Sequence, residues 1–260
     1  MSDTTLGQPK ASLGVGTLVG ETFSILFKHF IQVVIVGFVP SLFGFLISGL
    51  LVGFGEALGI RQQDFSGGGS IVANVLSVLV SMVVYSITTA LLVQLAYDAK
   101  LSRPVRLGRY FGPALSTVVP LAILTIVVTI LVGIGMAFLV IPGLWVYAVF
   151  AVMAPAVVIE RAGFGGLSRS KYLTKEYRWP IAGALVLAII CASILNLVAL
   201  FVVGLIAAAG SIGMVIGVVL FAAISTVGAG FLSILVALIY ARLREIKEGV
   251  SVDQIAAVFD

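Results

Sequence analysis

Apolar positions in this chain fall in long, almost unbroken runs, not at the three-and-four spacing of a helix with one wet face. Six runs stand out: Phe30 to Phe54, Ile71 to Tyr97, Pro113 to Val140, Leu144 to Ile159, Ile181 to Ala208 and Ile212 to Tyr240. At about 1.5 Å per helical residue each reaches, or nearly reaches, the ~30 Å of a bilayer's hydrocarbon. The pattern predicts an all-α, polytopic membrane bundle of about six transmembrane helices, arranged as three hairpins with interfacial segments at their base. The fourth run is the shortest, and only Ile141, Pro142 and Gly143 part it from the third. Pro142 is expected to break the helix and Gly143 to permit a tight reversal. The alternatives are one broken helix or a re-entrant dip.

Charge decides between these. Lys and Arg favour the cytoplasmic side of short loops. With a cytoplasmic amino terminus and six crossings, 14 of the 15 Lys and Arg residues fall inside, and Arg61 alone falls outside. Removing the fourth crossing would export Arg161, Arg169, Lys171, Lys175 and Arg178. The expected organisation is therefore one membrane domain over 1–260. It has a cytoplasmic or interfacial lead-in over 1–29, the six-helix bundle over 30–240, and a cytoplasmic tail over 241–260. The tail carries Val252, Ile255, Ala256 and Phe259 at helical spacing. The polar, Gly-rich start lacks the pattern of a signal peptide, so the first span is read as an uncleaved insertion signal.

Composition agrees. Sixty-one percent of residues are hydrophobic and 10% charged, and the mean hydropathy is +1.24. Such a chain has the bilayer as its natural solvent.

A weak repeat precedes the hairpins. Phe23 to Phe30, Ser102 to Phe111 and Ser168 to Trp179 each mix aromatic and basic residues, which suits the headgroup layer. Arg103, Arg106 and Arg109 in the second of these, and Arg169, Lys171, Lys175, Arg178 and Trp179 in the third, are the candidate binding surface. The last group is expected to form a short helix ending at Trp179-Pro180. Each cation near an anionic leaflet gains about 1 kcal/mol. The plain reading is topology and anchoring; the functional one is binding of anionic lipid or of a protein partner. Nucleic acid is not expected, because these charges lie against the membrane.

Groups that carry chemistry are scarce. His29 is the one histidine and Cys191 the one cysteine, so no His-based triad, CxxC or metal cluster can be drawn, and no cofactor is expected. Asp, Glu, Lys and Arg are absent from the middle of every span, which argues against a proton relay. Asn74, Ser77, Ser81, Tyr85 and Thr88 share one face of the second helix. They form either interhelical hydrogen bonds or the lining of a polar path. Asn196, near the middle of the fifth helix, faces the same choice. The stripe Ala223, Thr226, Gly230, Ser233, Ala237 and Ala241, with the pairs Gly49/Gly53 and Gly213/Gly217, reads as close helix packing or a homo-oligomer face. Glu160 is expected to pair with Arg161 or a nearby basic loop.

Three stretches carry a likeness. They are Pro142-Gly143-Leu144 through Ala154-Pro155-Ala156 to Glu160, Leu167 to Lys175 up to Trp179, and Tyr240-Ala241-Arg242-Leu243-Arg244 with Lys247-Glu248-Gly249. Together they resemble bacterial membrane proteins related to the membrane domain that accompanies some glycerophosphoryl diester phosphodiesterases. The resemblance implies a six-span domain in a bacterial inner membrane, standing alone without the catalytic barrel, and no hydrolytic activity is carried over. The expectation is a non-enzymatic accessory, scaffold or lipid-organising membrane protein. The alternative is a transporter or channel for a small or amphipathic solute.

Overall fold

The computed structural model describes residues 12–53, 56, 62, 65–207 and 211–249. Nine α-helices run through them: α1 (Val15–Lys28), α2 (Phe30–Val52), α3 (Gly68–Lys100), α4 (Phe111–Phe138), α5 (Val140–Phe150), α6 (Met153–Ile159), α7 (Gly166–Thr174), α8 (Arg178–Ala207) and α9 (Ser211–Glu248). No strand occurs among the described residues. Six stretches are long and apolar enough to cross a membrane, with α5 and α6 together forming the fourth. The chain is thus a multi-pass helical membrane protein of about six spans.

The helices alternate in direction, so every described Lys and Arg gathers at one end, called here the basic end. Lys100 at the end of α3 meets Glu21 of α1 at 2.6 Å, and Lys247 of α9 donates to the Tyr172 carbonyl of α7 at 2.9 Å. α1 is a short amphipathic helix. Leu18, Thr22 and Leu26 are its buried face, and Phe27 is 70% exposed on the other.

α9 is the central element and packs on α8, α3, α2 and α1. Apolar side chains gain nothing by leaving lipid for each other, so helix contact depends on close fit at small residues. A β-carbon on Gly37 would collide with Thr226, and one on Gly230 would lie 2.5 Å from Val33; both positions join α2 to α9. A β-carbon on Gly44 would lie 2.7 Å from Val84 of α3. Thr226 and Gly230 of the small-residue stripe therefore serve internal packing. Gly49 is buried, but Gly53 (φ 92°) terminates α2 instead of packing. The Gly213/Gly217 side positions and the tail from 250 lie outside the described residues.

Two boundaries differ from expectation. The reversal between the third and fourth spans is at Leu139, whose backbone is extended, and not at Pro142-Gly143. Pro142 instead sits in the first turn of α5, where a missing N–H costs nothing. Gly143 allows the hairpin to close: a β-carbon on Gly135 would lie 2.8 Å from its Cα. Similarly, Trp179-Pro180 opens α8 and does not close the interfacial helix, which ends at Thr174.

The fourth span is also broken within itself, at Ala151 and Val152. The Val149 carbonyl, immediately before the break, is met by side chains of α7. The hydroxyl of Ser170 donates to it at 2.9 Å, and that of Thr174 stands 3.0 Å away. α7 thereby folds back against the broken helix.

Candidate functional site

The bundle is packed unevenly along its axis. Toward the basic end, Leu91, Leu92, Val93, Leu95 and Ala96 of α3 and Ile234 to Tyr240 of α9 are buried almost completely. Toward the far end the helices part, and a cavity of about 950 Å³ opens between α2, α3, α4 and α9.

Hydroxyl groups line it from every side. α2 contributes Ser41 and Ser48; α3 contributes Ser77, Ser81, Tyr85, Ser86, Thr88 and Thr89; α4 contributes Thr125 and Thr129; α9 contributes Ser233. Between them lie Met82, Val84, Leu92, Ile126, Ile130 and Leu232. Several hydroxyls already donate to their own helix. Ser41 gives its proton to the Gly37 carbonyl at 2.7 Å, Ser81 to Ser77 at 2.9 Å and Ser86 to Met82 at 2.8 Å. Such local bonds satisfy the proton in lipid and leave the oxygen as an acceptor. The Thr88 Oγ1 atom is buried and has no hydrogen-bond partner. Among the described lining residues Glu56, at the far-end mouth just beyond Val52, is the one formally charged group.

The basic end holds a second constellation. Glu160 receives two hydrogen bonds from Arg169, Nε to Oε2 and Nη2 to Oε1, both 2.6 Å. Tyr240 Oη donates to the same carboxylate at 2.6 Å. Glu248 of α9 meets Arg169 at 2.5 Å and Arg244 at 2.9 Å. Burial pushes the Glu160 carboxyl up, but the Arg169 and Tyr240 hydrogen bonds and the two arginine charges outweigh it and hold it below the usual value. The same contacts hold the Arg169 guanidinium charged. This network ties the fourth span, α7 and α9 together. The ring of Tyr97 lies 6.2 Å from that of Tyr240 and extends the contact to α3.

A smaller pocket of about 250 Å³ lies beside Gln94, Asp98, Arg103, Arg109 and Tyr110. There Tyr110 Oη donates to Asp98 at 2.8 Å; burial first, and then this bond, raise the phenol's pKa.

The residues singled out from sequence separate into groups. Ser77, Ser81, Tyr85 and Thr88 border the cavity. Asn74 is buried at the far end of α3 and donates to the Ser70 carbonyl at 3.0 Å. Asn196 is a packing residue: its Oδ1 accepts from Ser225 of α9 at 2.8 Å and its Nδ2 donates to Ala192 at 2.9 Å. Arg169 is engaged by two carboxylates. Arg178 lies over the Trp145 ring at 4.6 Å, a cation–π contact between α8 and α5. Arg106, Arg109, Lys171, Lys175 and Trp179 are exposed, and Arg103 lines the smaller pocket. Glu160 pairs with Arg169 and not Arg161, which is exposed with a left-handed backbone (φ 54°).

The cavity residues of α2 and α4 escaped the sequence reading, although Thr125 and Thr129 stand one helical turn apart. Ser233 was placed within a packing stripe, and the structure sets it on the cavity wall instead. Comparison with family models, with curated proteins and with solved structures finds no match to this chain.

Proposed function

We propose that this chain is a non-enzymatic membrane protein that binds an amphipathic solute in the cavity between α2, α3, α4 and α9 and passes it into or across the bilayer. One observation carries this reading. In a span that meets lipid, grouped hydroxyls are ordinarily satisfied within a helix interface, yet here eleven hydroxyl-bearing side chains from four helices border one unfilled volume. The seal toward the basic end makes the cavity a vestibule with access from the far end or from the lipid. We place the basic end in the cytoplasm of a bacterial inner membrane, on the charge argument. The likeness to the membrane proteins that accompany phosphodiesterases fits this placement and supplies no activity.

Binding of single-chain amphiphiles to the protein in lipid nanodiscs tests the proposal. Ser81→Leu and Thr129→Leu fill the cavity from opposite walls. Each should weaken binding at least about tenfold, as expected for overfilling a packed site. Unchanged binding in both variants refutes the reading.

A second reading rests on a different surface. Exposed Arg106, Arg109, Lys171 and Lys175, with Tyr172 and Trp179 beside them, suit an accessory or lipid-organising role on anionic headgroups. Loss of co-purifying anionic lipid on neutralising these four, with amphiphile binding intact, would favour it.

A further inference from the structure

The lining of the cavity bears on the class of its ligand, an inference that rests on the cavity reading above. We infer that the cavity takes an uncharged amphiphile: a single alkyl chain with a hydroxyl-bearing head.

The argument starts from what the deep part of the cavity lacks. From Ser41 on α2 and Leu92 on α3 outward to Ser48 and Ser77, its described lining holds no Lys, Arg, His, Asp or Glu. A charged head drawn into that volume would lose its water with no counter-ion to replace it. Glu56 stands outside the hydroxyl-lined region, at the mouth.

Next comes what the lining offers. Ser41 and Ser81 have given their protons to backbone carbonyls, so their oxygens can accept from a ligand donor. Tyr85, 57% exposed on the cavity wall, carries a phenol that can donate or accept. An alcohol group matches both roles, since it donates one bond and accepts others. A sulfate or carboxylate only accepts, and a quaternary ammonium does neither. Met82, Val84, Ile126 and Ile130 supply apolar wall for an alkyl chain.

The test compares three ligands with the same decyl chain on the full-length protein in nanodiscs: decylglycerol ether, decyl sulfate and decyltrimethylammonium. The neutral ether should bind at least about tenfold more tightly than either charged ligand. Ser81→Ala and Thr129→Val, which keep the volume, should each weaken the ether several-fold. Equal or tighter binding of a charged ligand overturns the inference. If the cation binds best and Glu56→Gln removes that preference, the mouth carboxylate and not the hydroxyl lining sets the ligand class. Failure of all three to bind, or binding untouched by Ser81→Leu and Thr129→Leu, overturns the cavity reading itself.

Discussion

Glu160 shows how one side chain can hold three elements. Its carboxylate takes both nitrogens of the Arg169 fork and the Tyr240 hydroxyl, and its own backbone ends the fourth span. Charge-assisted bonds of this kind contribute about 1.5–3 kcal/mol each where water is excluded. Here the side chains are 21–23% exposed, which places the effect toward the lower value. Glu160→Gln should therefore destabilise the protein by roughly 2 kcal/mol at neutral pH, read from thermal unfolding in detergent. The pH dependence has a definite sign. The folded pKa lies below the unfolded one, so the stabilisation is complete above the ordinary value of 4.5 and is lost as pH falls through the folded value. Wild type should lose stability on acidification below that value more steeply than Glu160→Gln. Gly135 is a residue of the opposite kind, needed for what it lacks. Backbone atoms of Pro142 and Gly143 stand where its β-carbon would go, and backbone cannot turn aside as a side chain can. Gly135→Val should cost about 1–3 kcal/mol or open the hairpin, visible as a lower unfolding temperature.

The broken fourth span belongs to the scale of elements. A helix interrupted in a membrane must find new donors for its freed carbonyls. α7 brings the hydroxyls of Ser170 and Thr174 to Val149. A short amphipathic helix thereby becomes a clamp on a transmembrane one. Ser170→Ala with Thr174→Val removes both side-chain donors to that carbonyl. Amide exchange in the segment around 147–155 should then rise, measured by hydrogen–deuterium exchange, while peptides from α2 stay unchanged. Equal protection in the double variant would show that the break is stable without α7. Prolines act on the cavity walls. Pro40 lies inside α2 immediately before Ser41, and Pro120 lies inside α4 two residues before Ala122. Each removes one backbone hydrogen bond close to the base of the cavity.

For the whole molecule, tight packing at the basic end and an open volume toward the other divide the work. The basic end is a firm base of buried Leu, Ile and Ala side chains, ion pairs and the α1 and α7 helices. The far half carries the candidate site. Orientation follows from charge and is open to a direct check. In a Cys191→Ser background, single cysteines at Ser66 and Ser102 lie at opposite ends. An impermeant thiol reagent applied to intact cells should label Ser66→Cys and spare Ser102→Cys. The reverse pattern would invert the protein in its membrane and turn the vestibule toward the cytoplasm.

Six crossings and a single basic end are legible in the chain itself. Run length and the placement of Lys and Arg are local, additive quantities that need no knowledge of neighbours. Element boundaries were less legible where proline is ambiguous: Pro142 and Pro180 look like helix breakers, but each occupies a first turn that does not need its N–H. The partner of Glu160 was decided in three dimensions, because the break in the fourth span and the return of α7 bring Arg169, not adjacent Arg161, to the carboxylate. The same holds for the cavity. The polar face of α3 is a periodicity anyone can count, and Asn196 looks much like Ser81 in sequence. Only the fold sets Asn196 against Ser225 and leaves Ser81 facing open space. The physical reason is that, in lipid, a hydroxyl satisfied by its own helix is equally content in an interface or on a cavity wall. Its sequence neighbours are the same in both cases, and the choice rests with the helices that pack, or fail to pack, across from it.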